Sequence, residues 1–336
     1  MMRLLLARVI YFAEVRPQTD SLHPETQPHA EDMLDVGDGN RVRWAAYGNP
    51  AGKPAAVVHG GPGSGSSPGM VRLFDPSRYR VVLFDQRGCG GSTPSASDPT
   101  TDMSHNTTAH LIRDLEQLRE HLGIDRWLLL GGSWGSTLIL AYAEQYPSRV
   151  SEIVLNGVTT TRRSEINWLY GGVARFFPEA WERFRAGVPE AQRDGNIVAA
   201  YARLMNSKDP RVAAEAAADW CAWEDAVLSS EPQGPASPYG DRPTSARMAF
   251  VRIATHYFER AAWLEEGALL RDAYRLAGIP GVLFHGSHDM SSPPDTAWSL
   301  ARRWPGARLT FISGAGHKGS ATLRDQIVSA LDAFAQ

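Results

Sequence analysis

From Met33 onward the chain alternates short, continuously apolar runs with longer amphipathic ones. Val42–Tyr47, Ala55–His59, Tyr79–Phe84, Trp127–Leu130 and Val150–Leu155 read as strands. Between them, Thr107–Leu122 carries Leu111, Leu115, Leu118 and Leu122 at helical spacing, and Ser136–Gln145 reads as a second helix. The alternation resumes near the end with a strand at Gly281–His285, a helix at Thr296–Arg303, a strand at Arg308–Ile312 and a helix at Leu323–Phe334. Strands that are apolar throughout, alternating with helices, predict an α/β fold with a mostly parallel sheet buried on both faces.

The texture changes between Thr159 and Arg260, where Ala, Arg, Trp and Glu dominate at helical periods and no strand is evident. Phe176–Phe184, Asn196–Met205 and Val212–Val227 read as helices, and Ser229–Thr244 as a loop of Pro, Gly and Ser. The expected organisation is an N-terminal extension over 1–21, core over 22–158, an inserted helical cap over 159–260, and core again over 261–336. The extension is expected to be disordered. Its apolar run Leu4–Ala7 is cut short by Arg8, and no small-residue cleavage site follows, so it does not read as a signal peptide.

Composition changes this picture little. Of 336 residues, 43% are hydrophobic and 21% charged, and Lys+Arg 34 against Asp+Glu 37 gives a net charge of −3. That balance offers no basic surface for nucleic acid. No run reaches the ~18 apolar residues that span a bilayer. Two cysteines, Cys89 and Cys221, cannot build a disulfide framework and point to reduced thiols and a cytoplasmic location. Nothing in the pattern fixes an oligomeric state.

The sharpest chemical signal is Gly131-Gly132-Ser133-Trp134-Gly135, placed directly after a strand and before a helix. In that context G-x-S-x-G forms a tight turn that exposes the serine hydroxyl above the sheet. A serine needs a base to take its proton, and in this fold the acid and then the histidine follow it in the chain. Asp289 follows the Gly281–His285 strand and His317 follows the next, so Ser133, Asp289 and His317 form the expected triad. Asp295 reads instead as the start of a helix, and His285 and His288 precede the acid. The loop His59-Gly60-Gly61-Pro62-Gly63 would supply one oxyanion donor from Gly60 or Gly61, with Trp134 supplying the other. That loop lacks G-K-[ST] and G-x-G-x-x-G, so no nucleotide site is expected. No metal-ligand spacing such as H-E-x-x-H occurs, and neither metal nor cofactor is expected.

His59–Gly63 (HGGPG), Phe84–Thr93 (FDQRGCGGST), Gly131–Leu138 (GGSWGSTL) and Ala315–His317 (AGH) resemble the proline iminopeptidase family. So do Leu22–Pro28, Met33–Gly39 and, in the cap, Arg162–Glu182 and Trp220–Glu224 (WCAWE). The resemblance implies the α/β-hydrolase fold, a Ser-Asp-His triad, and release of an N-terminal proline from small peptides. It also implies that acidic cap residues hold the free amine, with Glu224, beside Trp223, matching one of them. Ala254 stands where a second such glutamate is expected, and Thr159 where a phenylalanine lines the proline pocket. Gly91 stands for an arginine, and Ser287-His288 for Arg-Tyr. The expected function is therefore an aminopeptidase of this family with altered specificity, acting through an acyl-enzyme. Asp225 and Glu231 are further candidates for the missing carboxylate. The alternatives are an amidase or esterase acting on a non-peptide amide or ester, and a hydrolase-fold binding protein without turnover.

Overall fold

The computed structural model describes residues 8–11, 21–231 and 233–336. Among the described residues, nine strands form one sheet: β1 (Arg8–Tyr11), β2 (Ala30–Asp35), β3 (Arg41–Gly48), β4 (Lys53–Val58), β5 (Tyr79–Phe84), β6 (Trp127–Ser133), β7 (Val150–Val158), β8 (Gly281–Gly286) and β9 (Ala307–Ile312). Their order is β1-β9-β8-β7-β6-β4-β5-β3-β2. Only the β2–β3 and β3–β5 pairs are antiparallel; the other pairs are parallel.

The helices are α1 (Thr108–His121), α2 (Trp134–Gln145), α3 (Arg163–Leu169), α4 (Pro178–Ala186), α5 (Ile197–Met205), α6 (Pro210–Val227), α7 (Thr244–Glu259), α8 (Ala268–Arg271), α9 (Asp295–Ala301) and α10 (Ala321–Phe334). Alternation along each strand splits the core into two layers. On β6, Trp127 and Leu129 join the layer under α1, α2, α8 and α9, while Leu128 and Leu130 join the layer under α10. Burial on both faces is why these strands are apolar throughout.

Helices α3 to α7 lie between β7 and β8 and enclose a third apolar cluster. Helix α7 serves two clusters at once. Ala249, Ile253 and Tyr257, four residues apart, face the sheet layer; Phe250, Val251 and Ala254 face the cap cluster.

Two edges depart from the sequence reading. Arg8–Tyr11 (RVIY), inside the segment expected to be disordered, pairs parallel with β9. Its β-branched and aromatic residues suit a strand, and β9 offers an open ladder to pair with. The rest of that expectation lies outside the described residues. Ala30–Asp35 (AEDMLD) escaped notice because an exposed edge strand carries no apolar run.

One buried ion pair fastens the antiparallel edge to α1. Arg87 donates to both carboxylate oxygens of Asp114 at 2.7 Å, and also to the carbonyls of His105 and Val36. Burial outweighs the pull of the guanidinium and leaves the Asp114 carboxyl raised to about 6. Breaking a buried pair by deleting one partner strands the other charge. Arg87→Met should therefore cost about 3–5 kcal/mol, read from urea unfolding against wild type.

Candidate active site

Ser133 ends β6 and immediately precedes α2, with φ 53° and ψ −130°. This left-handed conformation is strained for a residue with a side chain, costing on the order of 1–3 kcal/mol. The motif's two outer glycines make the turn possible. A Cβ on Gly135 would lie 2.2 Å from the Val58 carbonyl oxygen, and one on Gly131 would lie 2.9 Å from the same atom. Ser136, one turn into α2, donates to the Ser133 carbonyl at 2.6 Å and accepts from the Thr159 N–H at 2.9 Å. The elbow and the exit of β7 are thereby tied together.

Asp289 lies in the loop after β8 and is fully buried. Its Oδ2 accepts from His317 Nδ1 at 2.8 Å, and its Oδ1 accepts from the Ser292 N–H at 2.8 Å. His285 supports this loop from below. Its Nδ1 accepts from the Val158 N–H at 3.1 Å, which puts the proton on Nε2 for donation to the Ser292 carbonyl at 2.7 Å. His285 is thus a neutral spacer; burial lowers its basicity further.

The base loop has its own clamp. Glu231 accepts from the His317 N–H and the Lys318 N–H, one per carboxylate oxygen, both at 2.7 Å. Burial pushes the His317 imidazole down, but the charge and hydrogen bond of Asp289, aided by Glu231 and Glu224, outweigh it. The result is a pKa raised to about 9. Burial likewise opposes ionisation of Asp289, and the His317 charge outweighs it, so that carboxyl falls below its usual value.

Ser133 and His317 line one cavity together with Gly61, Trp134, Thr159, Ile166, Leu169, Tyr170, Glu224, Tyr239 and Phe258. Trp134 is the first residue of α2, so its N–H has no intrahelical acceptor. Gly61 lines the cavity beside it, and Gly60 lines a second cavity with Ser133 and His317, its Cα side facing the Gly132 carbonyl and Ser133 Cβ. Gln86 joins the two: it receives the Trp134 indole N–H at 2.9 Å and donates to the His59 carbonyl at 2.9 Å. His59 Nε2 in turn accepts from the Gln86 N–H at 3.0 Å, so Nδ1 carries the proton and meets the Gly60 carbonyl. Sequence reasoning quoted His59 and Gln86 inside motifs but gave them no task. Two buried polar residues flanking a glycine loop were the available signal.

At the far wall, Glu224 is buried with Oε1 accepting from Tyr170 Oη and Trp220 Nε1, each at 2.7 Å. Its Oε2 has no partner among the described residues. Burial raises the Glu224 carboxyl, opposed by those two hydrogen bonds and by the Arg242 and His317 charges. The other acidic groups nearby are already engaged. Glu165, also on the cavity wall, accepts from Thr160, Arg162 and Thr296. Asp225 holds the Tyr239 and Gly240 N–H groups, and Glu231 holds the base loop. Neither supplies a second carboxylate.

Two expected substrate contacts are corrected. Trp223 is buried in the cap cluster, stacked on Phe184 and edge-on to Trp181, and donates to the Leu169 carbonyl at 3.0 Å. It packs the cap and does not line the cavity. Ala254 lies on the cap-facing stripe of α7, fully buried, and Phe258 one turn later reaches the cavity instead. Thr159 does line the cavity, its carbonyl accepting from Thr137 at 2.9 Å.

Residues 56–321 match the alpha/beta hydrolase fold family. A probable proline iminopeptidase of Streptomyces coelicolor is 49% identical over 94% of this chain and 98% of its own length. The proline iminopeptidase of Xylella fastidiosa is 43% identical over 94% of this chain and 99% of its own. The chain belongs to the proline iminopeptidase family of α/β hydrolases. The crystal structure of a Mycobacterium smegmatis proline iminopeptidase superposes with a TM-score of 0.62 at 19% identity, covering 91% of this chain and 97% of that one. At that identity the likeness speaks for the fold. In this chain, the glycine elbow, the Gln86 bridge and the Glu231 clamp are the local supports of the site.

A histidine base must be neutral to accept a proton, so kcat/KM should rise as pH rises through its raised pKa. Glu231→Gln removes a carboxylate that favours the imidazolium. The acid limb of the kcat/KM–pH profile should then move to lower pH than in wild type, with the melting temperature reporting fold integrity. An unmoved limb would mean that Glu231 exerts no charge effect on His317.

Proposed function

We infer that this enzyme is a serine aminopeptidase that releases an N-terminal proline, or a residue of similar size, from small peptides. The observation that carries this reading is the buried Glu224, facing the nucleophile's cavity with one carboxylate oxygen saturated and the other free. A buried carboxylate raised by desolvation gains most from a cation, and the free amine of a peptide's first residue is one. The apolar wall of Ile166, Leu169 and Phe258 suits a pyrrolidine ring. Residues 159–260 act as a lid that closes the cavity beyond one residue.

In the reaction, Ser133 Oγ attacks the scissile carbonyl carbon while His317 Nε2 takes its proton. Asp289 holds the imidazole through Nδ1, and the N–H groups of Gly61 and Trp134 receive the oxyanion. His317 then returns the proton to the departing amine, leaving the acyl group on Ser133. Water, deprotonated by His317, releases the acid and restores the serine. Triad and water suffice for these steps. The unpaired, buried thiols of Cys89 and Cys221 support a cytoplasmic site of action; no helix among the described residues is long and apolar enough to cross a membrane.

Thr159, on the cavity wall, favours a second reading, in which the acyl site also admits other small amides or esters. One comparison separates the two: prolyl arylamide against its N-acetylated counterpart. Strong preference for the free amine is expected, and equal cleavage of both would contradict the aminopeptidase reading. Glu224→Gln should lower kcat/KM for the free amine roughly 10- to 100-fold, the equivalent of one charge-assisted hydrogen bond of ~1.5–3 kcal/mol, and spare the acetylated substrate. Ser133→Ala should abolish turnover with the melting temperature retained.

A further inference from the structure

Away from the catalytic cavity, three side chains distant in the chain converge on the antiparallel edge of the sheet. Asp38 occupies the turn between β2 and β3, His105 the loop before α1, and His110 the first turn of α1. His105 Nδ1 lies 3.7 Å from Asp38 Oδ1, and His110 Nε2 lies 3.8 Å from Asp38 Oδ2. One donor atom from each residue falls within 4.8 Å of the other two. We propose that Asp38, His105 and His110 bind a divalent transition-metal ion of the zinc class, with water completing the coordination.

Tetrahedral zinc has Zn–N near 2.0–2.1 Å, which sets its ligand atoms about 3.4 Å apart. The Asp38–imidazole separations of 3.7 and 3.8 Å exceed that by about 0.3–0.4 Å. Two imidazoles and one carboxylate suit zinc rather than calcium or magnesium, which take oxygen ligands. The site also has an outer support. His110 Nδ1 meets Thr107 Oγ1 at 2.7 Å, and with the proton on Nδ1 the Nε2 lone pair is directed toward Asp38. Asp38 and His105 are partly open to solvent, leaving room for water ligands.

The opposing charges are Arg113, which acts on His110, and, nearest to the carboxylate, Arg87, 3.3 Å from Asp38 Oδ2. The shorter bonds of Arg87, two at 2.7 Å, go to Asp114, so its charge is already balanced by a closer carboxylate. Asp102 lies near enough to His105 to interact with it electrostatically and adds negative charge on the open side. A metal here ties the β2–β3 turn to the start of α1 and stabilises the folded chain by mass action.

The test is calorimetric titration of zinc chloride into EDTA-stripped enzyme, paired with melting curves with and without zinc. One equivalent should bind with a rise in melting temperature. His105→Ala and His110→Ala should each weaken binding more than about tenfold, and Thr107→Val by about tenfold through loss of its support to the ring. Asp38→Asn keeps a residue tolerant of the left-handed backbone at that position (φ 55°) and should also lose affinity. Absence of binding overturns the proposal. So does binding that survives the His105→Ala/His110→Ala double variant and disappears in His317→Ala, which would place the ion at the triad.

Discussion

The whole site depends on one strained turn. Ser133 can stand above the sheet only because β6 runs into α2 without a connecting loop, and that junction has no room for side chains beside the Val58 carbonyl. The strain of about 1–3 kcal/mol is offset by bonds that close only in this conformation. Ser136 fastens the elbow to Thr159, and Gln86 fastens Trp134 to the oxyanion loop. The turn fixes Ser133, and the same contacts fix Trp134 and the His59–Gly63 loop. In the proposed mechanism, nucleophile and oxyanion donors are thereby positioned as one unit rather than separately.

Around that turn, charge is buried in a graded way. Asp289 and His317 form a pair in which each partner's desolvation is outweighed by the other's charge. Glu231 saturates both its oxygens on backbone N–H groups, which lets a carboxylate sit buried beside the base and hold its loop. Glu224 is the exception: two donors meet one oxygen, and the second faces the cavity. A burial cost left partly uncompensated in the free enzyme is available to a ligand that brings a cation. Cap and core meet at this cavity, with α7 packed into both clusters and keeping the two in register.

Much of this was legible in the chain. The apolar runs became strands because both faces of the parallel sheet are covered, and Ser133, Asp289 and His317 all lie at or just after a strand's end. The parts that escaped have physical reasons. The β2 strand is exposed at the sheet edge, so it carries no apolar run. Helix α7 is apolar on two faces, which hides its amphipathic period. Trp223 and Ala254 could not be placed because a tryptophan or alanine on a buried helix reads alike whether it faces a cluster or a cavity. Glu231 lies in a Pro/Gly/Ser loop, where its contact with the base loop is a product of tertiary folding alone. The proximity of Asp38, His105 and His110 likewise leaves no trace as a spacing motif.

The proposed mechanism requires that the elbow, base and acid make Ser133 a nucleophile. Labelling with a fluorophosphonate probe, followed by peptide mapping, reads this most directly. Wild type should carry a single adduct on Ser133 that is lost in His317→Ala. An unlabelled wild type, or a label that persists without His317, would contradict it.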